Sequence, residues 1–150
     1  MAADAYEFSA DNSRLDLDVI HAFLRGAYWS PGIPREVVER AIAGSLCFGV
    51  YGREPGVGQV GFARVVTDRA TFAYLADVFV LEAHRGRGLS KQLVAFILEH
   101  PGLQGLRRFM LVTRDAHGVY ERFGFQPAAH PGRVMERLAA SPYGLTVARD

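Results

Sequence analysis

The densest chemistry in this 150-residue sequence lies at Val80-Leu81-Glu82-Ala83-His84-Arg85-Gly86-Arg87-Gly88-Leu89-Ser90, a glycine-bearing turn expected to leave a strand and open a helix. The first N–H groups of a helix have no partner inside it, and the aligned peptide dipoles place partial positive charge there, so a phosphate fits. Gly86 and Gly88 let the backbone approach an anion closely. Arg85, Arg87 and Lys91 add charge that no acid between residues 83 and 98 cancels. The string is not a P-loop, and Lys91 stands where the last glycine of a Gly-x-Gly-x-x-Gly dinucleotide fingerprint would be.

Other residues could act on protons. Asp77 is the only acid inside Phe72 to Leu81, a run apolar on both faces. A carboxylate there is costly unless it pairs with an arginine or faces a wet cleft, where it could serve as a base. Tyr120 shares an apolar stripe with Ala116, Val119 and Phe123, and by spacing alone it reads as a core aromatic. The five histidines show neither His-x-x-x-His spacing nor a cysteine partner, so no metal site is expected, and His84 and His117 read as solvated rim residues. Cys47 reads as a small buried hydrophobe rather than a nucleophile.

These residues need a scaffold. Ala5 to Ser9 is a short candidate strand, and Leu17, Ile20, Phe23, Leu24 and Tyr28 fall at helical spacing after Asp16. A second helix fits Pro34 to Ala43, with Pro34 at its first position and Gly44 closing it. Leu46 to Tyr51 and Gln59 to Val66 read as a hairpin, and Phe72 to Leu81 as a central strand. Leu89, Leu93, Phe96, Ile97 and His100 line a helix that Pro101-Gly102 stops, and Arg108 to Val112 returns as a strand, which requires a parallel crossover. Asp115 is placed to cap a helix ending at Gly124, and Gln126 to Ala129 and Val134 to Leu138 are expected to close the sheet. The fold class is α/β (α+β in some schemes), one domain over residues 1–150.

Composition narrows the partners. There are 17 basic and 16 acidic residues, 49% hydrophobic residues and one cysteine, which argue against disorder and against a disulfide framework. Residues 1–83 hold 7 basic and 11 acidic side chains, net −4, and residues 84–150 hold 10 and 5, net +5. That split points the C-terminal half toward an anion, while an overall charge of +1 argues against nucleic acid. The longest apolar run is far short of the roughly 20 residues a bilayer span needs, and residues 1–18 lack the basic start and apolar middle of a signal peptide. A soluble, cytoplasmic protein without a membrane partner is expected.

Arg85-Gly86-Arg87-Gly88-Leu89-Ser90 resembles the Gln/Arg-x-x-Gly-x-Gly/Ala signature of the GNAT superfamily of acyl-CoA N-acetyltransferases, with Ser90 where Gly or Ala is usual. Thr113-Arg114-Asp115-Ala116-His117-Gly118-Val119-Tyr120-Glu121-Arg122-Phe123-Gly124-Phe125 resembles its Asn-x-x-Ala-x-x-x-Tyr-x-x-x-Gly-Phe segment, with Thr113 in place of Asn. The resemblance implies a mixed central sheet with a splayed parallel strand pair flanked by helices, and acetyl-CoA bound in the splay. It implies that the backbone of Phe79, Val80 and Leu81 pairs with the pantetheine arm. The amides from Arg85 through Gly86, Arg87, Gly88 and Leu89 to Ser90 would hold the pyrophosphate, with Thr113 and Ala116 also on the cofactor.

The same resemblance makes Tyr120 the general acid for the departing thiolate, since a phenol of ordinary pKa near ~10 is protonated at neutral pH. The general base would be Asp77 or an ordered water chain. Tyr28 and Trp29, beside Ser30-Pro31-Gly32-Ile33-Pro34, would wall the acceptor site or pack as core, and Phe72 and Tyr74 are further candidates for facing the acceptor. The expected activity is acetyl transfer to a primary amine of a small molecule by direct attack in a ternary complex. A peptide or protein amine, or a non-catalytic acyl-CoA sensor, are the competing readings, and a homodimer is compatible by analogy with the family.

Overall fold

The computed structural model describes residues 5–144. Its centre is a five-stranded sheet in the order β1 (Tyr6–Ser9), β2 (Leu46–Gly52), β3 (Gly58–Thr67), β4 (Phe72–Val80) and β5 (Arg108–Leu111). All neighbours are antiparallel except β4 and β5. Helices α1 (Leu17–Leu24) and α2 (Arg35–Ala43) precede β2, α3 (Leu89–Leu98) makes the crossover between β4 and β5, and α4 (His117–Glu121) follows β5.

The helix ends follow local chemistry. The Asp16 carboxylate accepts from the N–H groups of Asp18 and Val19 and so caps α1. That helix ends at Leu24, which puts Tyr28 in the following loop rather than on the helical stripe. Pro34 is the N-cap of α2 rather than its first residue, and Gly44 is the C-cap. Asp115 does not cap α4. Ala116 holds the cap position, and the Thr113 hydroxyl accepts from the Ala116 N–H at 3.0 Å.

Both faces of the sheet are covered. Leu89, Leu93 and Ile97 of α3 pack on Phe48, Val50, Val65, Leu75 and Val80. Ile20 and Leu24 of α1 and Val38 of α2 pack on Cys47, Phe62 and Phe79 from the other side. Full burial of a side chain such as Leu93 contributes about 1.5–3 kcal/mol, which fixes α3 firmly against the sheet.

Two features of β4 depart from a regular strand. Its register against β3 shifts between Phe62 and Arg64, and Asp77 within the shift has φ 56°. This bulge resets the side-chain alternation, so that Asp77 and Phe79 share the α1/α2 face with Tyr74 while Leu75, Val78 and Val80 face α3. Among the described residues, pairing with β5 covers only Phe72–Leu75, leaving the β5-side edge of β4 open from Ala76 onward.

The expected closing strands at 126–129 and 134–138 do not form. Pro127 and Pro131 lack N–H donors for a ladder, Pro131–Arg133 makes a 3₁₀ turn, and Met135 is 91% exposed. Among the described residues β5 therefore has one open edge. None of their helices is long and apolar enough to cross a membrane.

Candidate active site

The strand β4 runs into the glycine turn. Gly86 and Gly88 both have φ 77°, in the left-handed region that favours glycine, and Gly88 is the N-cap of α3. An added Cβ at Gly86 would meet nothing within 4 Å, so the conformation rather than crowding calls for glycine there. The α3 ladder begins with Gln92 N–H donating to the Gly88 carbonyl, and the amides of Leu89, Ser90 and Lys91 lie ahead of it, facing the turn. This is a backbone cradle for an anion.

The arginines are held rather than waving in solvent. Arg85 Nε donates to the Val80 carbonyl at 2.9 Å. Arg87 Nη1 donates to the Tyr6 hydroxyl at 2.8 Å, and that hydroxyl lies 2.6 Å from His84 Nδ1. His84 is thus joined to β1 rather than standing as a solvated rim residue.

Backbone direction along β4 corrects one expectation. The Leu81 N–H is taken by the Val60 carbonyl at 2.8 Å, and the Phe79 carbonyl oxygen would lie 3.2 Å from a Cβ on Gly61 of β3. In an antiparallel ladder these orientations alternate, so Phe79 and Leu81 point their backbone groups at β3, while the Val80 N–H and carbonyl and the Val78 carbonyl point at the open edge. Of the three residues expected to pair with an amide-bearing arm, Val80 alone faces the open edge, with its carbonyl already accepting from Arg85 and its N–H directed outward. Its companion is Val78, which strand alternation counted from Val80 would have identified.

Across the splay, Tyr120 on α4 is partly buried against the core and stands edge-on to Phe125 at 6.0 Å. Burial, with Tyr28 as a smaller contribution, raises its phenol above the usual tyrosine value, so the hydroxyl keeps its proton at neutral pH. Thr113 and Ala116 are engaged with each other, which leaves the Thr113 hydroxyl hydrogen, but not the Ala116 N–H, for a ligand.

The loop between α1 and α2 forms the remaining wall. Buried Ser30 donates to the Leu24 carbonyl at 2.7 Å, His21 Nε2 lies 3.0 Å from the Ile33 carbonyl, and Gly32 turns with φ 76°. Tyr28 and Trp29 are 39% and 36% exposed, so neither is core. They meet edge-on at 5.1 Å, and the Arg114 guanidinium lies 3.8 Å above the Tyr28 ring. Trp29 Nε1 donates to Asp77 Oδ1 at 2.9 Å, while Arg64 Nε donates to Asp77 Oδ2 at 2.8 Å.

Tyr74 stands near Asp77 and Arg64, and burial followed by the Asp77 charge raises its phenol. Phe72 does not join them. It starts β4 opposite Arg108, roughly 26 Å from Val80 at ordinary strand rise, and lines a separate recess with Thr71, Arg107 and Arg108. Cys47 is buried, which pushes its thiol up to about 12 and keeps it out of nucleophilic chemistry. Among the described residues no three His, Cys, Asp or Glu side chains gather as a metal site. A concavity of about 1170 Å³ follows the open edge of β5. Tyr120 and Thr113 reach it, but neither the glycine turn nor Trp29 does.

Comparison with known proteins is consistent with this geometry. Residues 44–127 match the acetyltransferase (GNAT) domain. A Gibberella zeae protein named as an acetyltransferase is 35% identical over 130 residues, spanning 73% of this chain and 72% of its own. A crystal structure from Xanthomonas campestris pv. campestris, described as an acetyltransferase of the GNAT family, is 52% identical. It superposes with TM-score 0.86 over 92% of this chain and 96% of its own. AAC(6')-Iy, solved in complex with the bisubstrate analogue CoA-S-monomethyl-acetylneamine, shares the fold at TM-score 0.61 and 20% identity, over 89% of this chain and 97% of its own.

Proposed function

The chain belongs to the GNAT family of acetyltransferases, and from that premise we propose that it moves an acetyl group from acetyl-CoA to a primary amine of a small molecule in a ternary complex. The observation that carries this reading is the splay: β4 loses β5 after Leu75, keeps an open edge to Val80, and continues into the left-handed glycines at the head of α3. An amide-bearing arm suits the open edge, where the Val78 carbonyl and the Val80 N–H face outward, as an added strand, and a pyrophosphate suits the Gly86–Lys91 amides with the tethered Arg87 beside them.

Acetyl-CoA would supply an acetyl group activated as a thioester, open to attack by a neutral amine. The residues of the chain then have defined tasks. The Tyr120 hydroxyl, kept protonated by burial, is the proton source for the departing sulfur. The Val80 N–H, in the peptide whose Phe79 carbonyl turns to β3, is a donor at the open edge, suited to polarising a carbonyl. Tyr28 and Trp29 orient the acceptor, and this fixed wall favours a compact amine over an extended peptide. Tyr74 lines the same face of β4.

Release of CoA thiol from acetyl-CoA, measured against a panel of small amines and a lysine-containing peptide, tests the proposal. Turnover with small amines supports it; turnover with the peptide alone moves the acceptor to protein, and tight acetyl-CoA binding with no turnover would make the chain a sensor. Exposed Val112, Val134 and Met135 beside the open β5 edge also support a homodimer, which sedimentation of the full chain would detect.

A further inference from the structure

Asp77 is tied on both oxygens. Trp29 Nε1 donates to Oδ1 at 2.9 Å and Arg64 Nε to Oδ2 at 2.8 Å, with Arg64 Nη1 also donating to Ser45 Oγ at 3.1 Å. The Asp77 side chain is 11% exposed and that of Arg64 is 20% exposed. Both oxygens are thus engaged by donors of the wall, each keeping only its second lone pair for any further contact. The carboxylate is built into the wall rather than aimed at the acceptor.

The backbone is shaped for this contact. The bulge at Asp77, with φ 56°, puts the carboxylate on the face that carries the α1–α2 loop. Regular alternation would have turned it toward α3. Trp29 is held on its other side by rings that reach into the core: Phe23 lies 6.3 Å from it, and Phe23 stacks on Phe79 at 4.0 Å and 9°. The indole therefore has a packed flank and a single polar anchor, and it stays 36% exposed.

We propose that Asp77 is a positioning residue: oriented by Arg64, it latches Trp29 in place so that the indole forms a fixed wall of the acceptor site and sets amine affinity. It is not the base for the reaction. The proposal rests on the acetyltransferase reading only for its kinetic half. Trp29 is the sole tryptophan of the chain, so its fluorescence reports the latch directly without any substrate.

Asp77→Asn is the informative variant. Asparagine tolerates a left-handed φ, so the bulge is retained, but it offers one acceptor oxygen where two donors need one each. The charged Arg64 takes that oxygen and Trp29 is released. Acrylamide quenching of Trp29 in the free protein should rise clearly above wild type. With the best amine of the panel, KM for the amine should rise roughly fivefold, the equivalent of one hydrogen bond, with kcat within about twofold and the acid limb of the pH profile in place. Trp29→Phe should raise KM similarly, and the double variant should be no worse than either single one.

Unchanged quenching in Asp77→Asn would overturn the latch whatever the protein's activity. A fall in kcat on the order of a hundredfold with loss of the acid limb would overturn it in favour of a base. Additive effects of the two substitutions would also overturn it. If no amine or peptide is turned over, the acetyltransferase reading fails, and the quenching result alone decides the latch.

Discussion

Strands β4 and β5 lie parallel and each runs into a turn and a helix, but the two turns are built differently. The turn after β4 has two left-handed glycines and opens the ten-residue α3, whose inner face is buried from Leu89 to Ile97. The turn after β5 has no glycine and opens the five-residue α4, which has no buried residue. At the first turn the leading amides of the helix lie ahead of the Gln92–Gly88 bond and face the turn. At the second, Thr113 has already satisfied the Ala116 N–H, and five residues carry little macrodipole. In the proposed function, one turn offers backbone charge to an anion and the other offers a side chain, Tyr120, to the reaction.

Substitutions at the two turns should therefore fail in different ways. Tyr120→Phe removes the proposed proton source while keeping the ring contact with Phe125. It should lower kcat by about a hundredfold or more, with the dissociation constant for acetyl-CoA nearly unaltered. Equal loss of binding and turnover would erase the distinction between the turns.

Gly88→Glu puts a side chain at φ 77° and a negative charge at the cradle, and should weaken acetyl-CoA on the order of a hundredfold by calorimetry. Gly118→Glu, in α4 where a Cβ has open space, is the matched control and should leave that affinity in place. If both weaken binding alike, the two helix starts do not differ in the way described.

A smaller effect is expected from Tyr6→Phe, which unties Arg87 and removes the contact to His84. Acetyl-CoA affinity should fall roughly fivefold, the cost of one hydrogen bond. No change would mean that Arg87 does not serve the first turn.

The smallest effect concerns the far end of α3. His100 Nδ1 accepts from the Gly102 N–H at 2.9 Å, and burial, with Arg69 second, lowers its pKa from 6.5. A group with a depressed folded pKa contributes fully above its unfolded value and loses that contribution as pH falls through the folded one. Tm should therefore decline as pH drops below about 6.5, and His100→Asn, which keeps an acceptor but does not titrate, should flatten the decline.

The difference between the turns was partly legible in the sequence. Gly86 and Gly88 marked the first as a left-handed turn at a helix start, because glycine is required there by backbone conformation, a local property. The second was misread in one detail: Asp115 had the composition of a cap, but the Thr113 hydroxyl had the geometry. Phe72 and Tyr74 looked equivalent on β4, yet Phe72 lies at the far end of the strand beside Arg107 and Arg108. The strands expected at 126–129 and 134–138 had the right composition and no partner to pair with.

By itself the sequence determined the elements that depend on neighbours in the chain: the capped helices, the hairpin, the buried β4, the glycine turn and the spacing that puts Tyr120 near a helix start. Tertiary structure alone decided what depends on register. A single bulge at Asp77 turns that carboxylate toward Trp29 and Arg64, and the end of pairing at Leu75 and Leu111 opens the β4 edge at Val78 and Val80. Side-chain direction in a strand alternates with every residue, so one inserted position in the ladder redirects everything after it, and that insertion is fixed by the partner strand rather than by local sequence.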